Sequence, residues 1–126
     1  MKLTELLAGV GTEPVASNKA KVDVTGISAD SRTVKAGDLF VAIAGTKTDG
    51  AQFAQAAVTA GAVAILSEKP LPGISVPVFT TQGIRKALAL VAGNFYGNPA
   101  RDMVLLAVTG TNGKTTTSWL VESICA

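Results

Sequence analysis

The run LFVAIA at residues 39–44 consists of six consecutive apolar residues and is the strongest guide to the fold. An unbroken apolar run of strand length is typical of a strand that is covered on both faces of a parallel sheet. Residues 62–66 and 76–80 have a similar character, residues 22–27 form a weaker candidate, and residues 103–108 form a final one. The chain is therefore expected to contain several buried strands.

Helical patterns separate these strands. Residues 49–60 predict a helix that Asp49 caps and Gly61 ends. Its predicted apolar face consists of Phe53, Ala56, Ala57 and Ala60. Residues 84–96 and 115–125 predict two longer helices, the first of which has apolar residues at Ile84, Leu88, Val91 and Phe95. Strands that alternate with helices predict an α/β fold with crossover connections.

The composition of the 126 residues excludes several classes of function. Hydrophobic residues make up 48% and charged residues 16%, which argues against a disordered tail. A net charge of +2 is too small to predict a nucleic-acid surface. No histidine is present to act as a base or metal ligand, and the single cysteine, Cys125, cannot form an internal disulfide. Glu5 argues against a signal peptide, so we expect a cytoplasmic chain without membrane insertion.

The stretch VTGTNGKTTT at residues 108–117 carries the clearest chemistry. Here an apolar segment leads into a glycine-containing loop, and Lys-Thr begins a predicted helix, which is the context of a phosphate-binding loop. Gly110 and Gly113 allow backbone angles and close approaches that a side chain would block. The loop amides and the helix dipole would face phosphate oxygens, with Lys114 on the β- and γ-phosphates and the Thr115 hydroxyl on Mg²⁺.

The loop departs from the general pattern G-x-x-x-x-G-K-[ST], because Val108 stands where the first glycine is required. The shorter form G-x-x-G-K-T argues against a typical P-loop kinase or GTPase. An ordinary turn with an exposed lysine is the alternative, and the strand–loop–helix context disfavours it. Thr116 and Thr117 also fit simply as the first turn of a helix.

The loop at 109–115 resembles the ATP loop of the Mur ligase family, and several segments before it extend this resemblance, among them D-G-x-x-F at 49–53 and residues 56–62. The pattern D-S-R-x-V-x-x-G-D-L-F-V-A at 30–42 is similar to the N-terminal domain of the Mur ligases that add the third residue or the terminal dipeptide. The pattern F-Y-x-x-P at 95–99 also fits. Ser31 and the Thr111-Asn112 pair favour the ligases that add the third residue over those that add the dipeptide.

The resemblance implies two parts in this chain. Residues 1–98 would form a small α/β domain that binds the uridine-nucleotide substrate, and residues 99–126 would begin a central ATP-binding domain. It also implies ATP, Mg²⁺, the substrate UDP-MurNAc-dipeptide and an incoming diamino acid, lysine or diaminopimelate. In that chemistry the γ-phosphoryl group of ATP activates the substrate carboxylate as an acyl phosphate, which the amine then attacks.

The resemblance also assigns site residues. Ser31 would hydrogen-bond the uridine diphosphate, with Thr46 and Lys47 near the uracil. Lys114 would be catalytic and Thr115 would bind the metal. The residues expected to hold the nucleotide are Gly110, Thr111, Asn112, Gly113, Lys114, Thr115 and Thr116. Without the resemblance, residues 30–32 could equally form only a turn with an Asx hydrogen bond and a surface ion pair.

We expect this chain to be the N-terminal fragment of a longer ligase and to have no ligase activity by itself. A dipeptide-adding ligase and a non-catalytic uridine-nucleotide-binding module are the alternatives. Residues 103–108 and the apolar side chains of the last helix would lack cover in such a fragment, which predicts self-association through the exposed surface.

Overall fold

A computed structural model describes residues 1–14, 22–43 and 50–126. The strands within these ranges are β1 (Glu13–Pro14), β2 (Gly26–Ser28), β3 (Asp38–Val41), β4 (Ala64–Ser67) and β5 (Val78–Thr80). The α-helices are α1 (Leu3–Leu6), α2 (Ala54–Ala60), α3 (Ile84–Phe95) and α4 (Lys114–Cys125). Short 3-10 turns occupy Gly50–Phe53 and Pro99–Asp102.

The described strands form one sheet in the order β1-β5-β4-β3-β2. Strands β2 to β5 are parallel, with Phe40 opposite Ile65 and Leu66 opposite Phe79, while β1 joins β5 in the antiparallel direction. The predicted α/β fold is confirmed. The sequence pattern did not indicate β1, which contains a proline and is only two residues long.

Strands β3 and β4 lie in the interior of the sheet, and β3 overlaps the apolar run at residues 39–44. All four residues of β3 and all four of β4 are buried. Side chains alternate along a strand, so Leu39 packs in the core beneath α1 and α3, while Phe40 packs in the core beneath α2. The sheet is thus covered on both faces, which an unbroken apolar run requires.

Helix α3 confirms its predicted face, whereas the predicted face of α2 is right only at Ala57. Ile84 and Val91 of α3 are buried. In α2, Ala54 and Ala57 are buried, while Phe53 is 42% exposed and Ala56 and Ala60 are exposed too. The α-helix begins only after the 3-10 turn at Gly50–Phe53, so a different stripe of alanines faces the sheet. The predicted cap Asp49 lies outside the described residues.

The predicted strand at residues 103–108 is not formed. These residues have no strand assignment, and Val104 is 90% exposed. A β-strand exists only through hydrogen bonds to a neighbouring strand, and no described strand pairs with this segment. Helix α4 forms as predicted but contains no buried residue. No helix in the described ranges is long and apolar enough to cross a membrane.

Candidate nucleotide sites

The loop at residues 109–113 ends in a backbone shape that glycine favours. Gly113 has φ +78° and precedes α4 as its N-cap residue, and Gly110 has φ +151°. An L-amino acid with a side chain adopts such positive φ angles only with strain. No side chain caps the start of α4. The amides of its first turn, which have no partner within a helix, therefore remain open to an anion.

Lys114 folds back over this loop. Its Nζ atom donates a hydrogen bond to the backbone carbonyl of Gly110. The contact joins the start of the loop to the first residue of α4, so the ammonium group lies beside the loop backbone. Residues 109–116 are all exposed. A phosphate group could therefore reach both the loop amides and the ammonium group without displacing a buried side chain.

Thr115 lies in the first turn of α4, and its carbonyl oxygen accepts a hydrogen bond of 2.7 Å from the Ser118 hydroxyl. Its own hydroxyl has no hydrogen-bond partner among the described residues. The described ranges contain no group of three or more His, Cys, Asp or Glu residues placed to hold a metal ion. Mg²⁺ usually keeps water and phosphate oxygens as ligands beside one or two protein oxygens. A hydroxyl beside open amides fits a magnesium ion that arrives with a nucleotide.

The turn that carries Ser31 follows the carboxyl end of β2, the edge at which open α/β sheets bind ligands. Arg32 donates from its backbone amide to Asp30 Oδ1 at 3.0 Å and from its guanidinium group to the same carboxylate, with a shortest distance of 2.6 Å. The guanidinium hydrogen bond, and next the backbone amide, lower the pKa of Asp30 to about 2. Residues 30–32 thus form the Asx turn and surface ion pair that were the simpler alternative, and these contacts leave the Ser31 hydroxyl unused.

The predicted residues divide into separate groups. Thr46 and Lys47 lie outside the described residues, so their assignment stays a prediction. No hydrogen bond among the described residues joins the Ser31 turn to the loop at 109–115. The predicted apolar surface of the last segment is exposed, with Trp119 68% and Ile124 84% accessible. Self-association through it remains a prediction.

Reasoning from the sequence missed a cleft at the carboxyl ends of β4 and β5. It has a volume of about 510 Å³. Its charged lining residues are Glu13, Glu68 and Lys86. Glu68 accepts a hydrogen bond of 3.0 Å from the backbone amide of Ile84, the first residue of α3. Three segments that are distant in the sequence, residues 9–13, 68 and 80–90, build the cleft, so no local motif could have indicated it.

The family model described as "Mur ligase family, catalytic domain" matches residues 23–96, more than half of the chain. The chain belongs to the Mur ligase family. The match covers β2 to β5 with α2 and α3, and it ends before the glycine-containing loop at 109–115. The packed sheet and its helices therefore carry the family assignment of this chain independently of the loop at 109–115.

Relatives with curated names are similar to this member of the Mur ligase family over almost all of its residues. The UDP-N-acetylmuramoyl-L-alanyl-D-glutamate--2,6-diaminopimelate ligase of Syntrophomonas wolfei is 46% identical over 125 residues. The protein of the same name from Bacillus velezensis is 44% identical over 124 residues. Each alignment covers 98% of this chain and 25% of the relative. The chain therefore spans about a quarter of the length of these relatives.

Solved structures of two ligase types match the fold of this chain. The UDP-N-acetylmuramoylalanyl-D-glutamyl-2,6-diaminopimelate--D-alanyl-D-alanyl ligase from Acinetobacter baumannii has a TM-score of 0.76 at 24% identity, covering 98% of this chain and 27% of that one. A UDP-N-acetylmuramoyl-L-alanyl-D-glutamate--2,6-diaminopimelate ligase has a TM-score of 0.70 at 25% identity, covering 98% and 25%. The MurF ligase from Thermotoga maritima, solved with ADP, has a TM-score of 0.56 at 31% identity, covering 76% and 21%. The fold alone does not separate the two types.

Proposed function

We propose that this chain is part of an ATP-dependent ligase that adds a diamino acid to UDP-MurNAc-L-Ala-D-Glu in peptidoglycan synthesis. The observation that carries the proposal is the 44–46% identity, over 98% of the chain, to relatives named 2,6-diaminopimelate ligases. Among the solved structures, the dipeptide-adding ligases are 20–31% identical and a 2,6-diaminopimelate ligase is 25% identical, so the curated relatives carry the distinction. The names of the first group make 2,6-diaminopimelate the expected amino acid substrate.

Two parts of the chain would perform two tasks. Residues 1–98 would bind the uridine nucleotide of the substrate, and residues 99–126 would begin the ATP-binding domain. The distribution of burial supports this boundary, because Val91 is the last buried hydrophobic residue in the described ranges. Residues 101–120 are all exposed. The proposal places the protein in the cytoplasm, where ATP is available.

The residues of the loop would hold and orient the nucleotide. The amides of Gly110, Thr111, Asn112 and Gly113, with those of the first turn of α4 that include Thr116, would donate to phosphate oxygens. Lys114 would release the Gly110 carbonyl and neutralise charge on the β- and γ-phosphates. Thr115 would bind Mg²⁺, which supplies Lewis-acid stabilisation of the transferred phosphoryl group.

The uridine diphosphate would bind at the carboxyl ends of β2 and β3. Ser31 would donate or accept one hydrogen bond there, and Thr46 and Lys47 follow β3 in the sequence. The chain spans only a quarter of its relatives' length, and we propose that it lacks ligase activity by itself. ADP release above background, in the presence of the nucleotide dipeptide, diaminopimelate and Mg·ATP, would contradict this.

Calorimetric titrations test the proposed function. The 126-residue chain is titrated separately with UDP and with Mg·ATP. Ser31→Ala is expected to weaken UDP binding about tenfold, the value of one hydrogen bond to a charged group, and to leave Mg·ATP binding unchanged. Lys114→Ala is expected to weaken Mg·ATP binding about tenfold or more and to leave UDP binding unchanged.

The matched control is Arg85→Ala, because the exposed cation Arg85 lies on the first turn of α3 as Lys114 does on α4, and Arg85 does not line the cleft. It is expected to leave both titrations unchanged. UDP binding that Ser31→Ala does not alter would contradict the uridine assignment. Binding of UDP without any binding of Mg·ATP would support a non-catalytic uridine-nucleotide module instead.

A further inference from the structure

The turn at residues 28–33 uses almost all of its polar side chains to hold its own backbone. The Ser28 hydroxyl donates to the carbonyl of Asp30 at 2.9 Å, and the Thr33 hydroxyl donates to the same carbonyl at 3.0 Å. The backbone amide of Thr33 also donates to it at 3.0 Å. The Asp30 carbonyl is therefore held both by Ser28, the last residue of β2, and by Thr33, the last residue of the turn.

The carboxylate of Asp30 fixes the other half of the turn. Arg32 donates to it from its backbone amide at 3.0 Å, from Nε at 3.0 Å and from Nη2 at 2.6 Å. The two guanidinium contacts form the fork geometry that makes Arg–carboxylate pairs directional. Because Asp30 and Arg32 flank Ser31, both peptide groups of Ser31 are restrained.

Ser31 is the exception within this network. Its hydroxyl has no hydrogen-bond partner among the described residues, and its side chain is neither buried nor fully exposed. The other polar residues of the turn, which are Ser28, Asp30, Arg32 and Thr33, all take part in hydrogen bonds within it. One free hydroxyl on a restrained backbone is what a preorganised ligand contact requires.

We propose that Asp30 and Arg32 are positioning residues for Ser31, which hold its hydroxyl in the orientation that binds the uridine diphosphate. The inference rests on the proposed function, since it assigns that ligand to Ser31. In this role the Arg32 cation is bound to Asp30 and does not contact the diphosphate. An exposed ion pair adds little to stability, so the pair acts mainly on the geometry of the turn.

A double-mutant cycle on UDP affinity tests the coupling. Ser31→Ala is expected to cost about tenfold in the original chain and less than about twofold in a chain that already carries Asp30→Ala. The hydroxyl contributes only when the turn holds it, so the two losses are not additive. Equal losses in both backgrounds would overturn the positioning role while leaving the uridine assignment intact.

A second cycle separates positioning from direct contact by Arg32. Arg32→Ala alone is expected to weaken UDP binding about threefold to tenfold. The double variant with Asp30→Ala and Arg32→Ala is expected to bind UDP as well as Asp30→Ala alone does. A further loss in the double variant would show that Arg32 contacts the diphosphate, and would overturn the proposal. Arg32→Lys is expected to rescue binding poorly, because an ammonium group cannot form the fork.

Two controls keep the result interpretable. Asp23→Ala breaks the exposed pair between Lys2 and Asp23, which has a similar N–O distance of 2.8 Å, and is expected to leave UDP affinity unchanged. Asp30→Asn keeps an oxygen for the Arg32 amide and is expected to retain part of the affinity even if Asp30→Ala disturbs folding. If Ser31→Ala has no effect in any background, both the uridine assignment and this proposal fail.

Discussion

Helices α3 and α4 start in the same way and then meet different surroundings. Each has 12 residues and follows a glycine with a left-handed backbone, Gly83 at φ +77° and Gly113 at φ +78°. The first amide of α3 donates to the carboxylate of Glu68, which comes from the end of β4. Three residues of α3 are buried. No side chain caps α4, and none of its residues is buried.

The difference shows that a left-handed glycine before a helix does not by itself indicate whether the helix start can bind a ligand. A carboxylate from a neighbouring strand already occupies the positive end of the α3 dipole. The same end of α4 carries a lysine and a threonine and remains open to a ligand. Helix α3 is part of the packed unit, whereas α4 presents apolar side chains that its present surroundings leave exposed.

The largest expected effect is a loss of stability when isoleucine is replaced by alanine in α3, compared with the same substitution in α4. Ile84→Ala in α3 removes a side chain that is 4% exposed, so it should lower the free energy of unfolding by about 2–4 kcal/mol. Ile124→Ala in α4 removes a side chain that is 84% exposed and should change it by less than about 0.5 kcal/mol. Urea unfolding followed by far-ultraviolet circular dichroism measures both.

Trp119 lies on α4, so its fluorescence should not follow the unfolding of the core around α3. Equal destabilisation by Ile84→Ala and Ile124→Ala would mean that α4 is packed in solution, and the contrast between the helices would not hold. Dependence of the Ile124→Ala result on protein concentration would indicate that copies of the chain cover α4.

A smaller effect is expected at the two helix starts. Glu68→Ala leaves the Ile84 amide without its acceptor and should cost about 1 kcal/mol of stability, as the loss of a helix cap does. Glu68→Gln keeps an acceptor and should cost less. Thr115→Ala at the start of α4 should change stability by less than about 0.5 kcal/mol. Thermal unfolding of the three variants checks the order, and a larger loss for Thr115→Ala would contradict it.

The smallest expected effect is that of low pH on the ion pair between Asp30 and Arg32. The guanidinium group and the backbone amide of Arg32 lower the pKa of Asp30 from its ordinary value of 3.8 to about 2. Since the pKa is depressed in the folded chain, the contribution of this pair is present above pH 3.8 and is lost as the pH falls towards 2. An NMR titration of the Asp30 carboxyl carbon measures this pKa, which Arg32→Ala should return towards 3.8. An unchanged pKa in Arg32→Ala would contradict the role of the ion pair.

The sequence predicted the elements that depend on local pattern. The buried strands β3 and β4 follow from unbroken apolar runs, and the face of α3 follows from spacing. The face of α2 was predicted correctly only at Ala57, because the prediction placed Phe53, the largest apolar residue of its segment, against the core. Its side chain is 42% exposed, while the small side chains of Ala54 and Ala57 allow close contact with the sheet.

Features that depend on distant partners could not be predicted. β1 exists because residues 13–14 reach the edge of β5, and residues 103–108 form no strand because the described chain supplies no partner. At the candidate site, the loop at 109–115 was evident from its glycines and its lysine. The hydrogen bonds of the Ser31 turn were not evident, because they depend on which way each hydroxyl and carboxylate points.

The pairing of β1 with β5 also has a consequence for the timing of folding. The Thr80 hydroxyl donates to the carbonyl of Glu13, 67 positions earlier in the sequence, and the Thr81 hydroxyl donates to that of Val10 across 71 positions. A ribosome adding roughly 5–20 residues per second needs about 3–13 s to make the intervening chain. During that interval residues 13–14 lack their partner strand, whereas residues 1–3 can already pair with residues 22–24, so β1 can join the sheet only after β5 has been made.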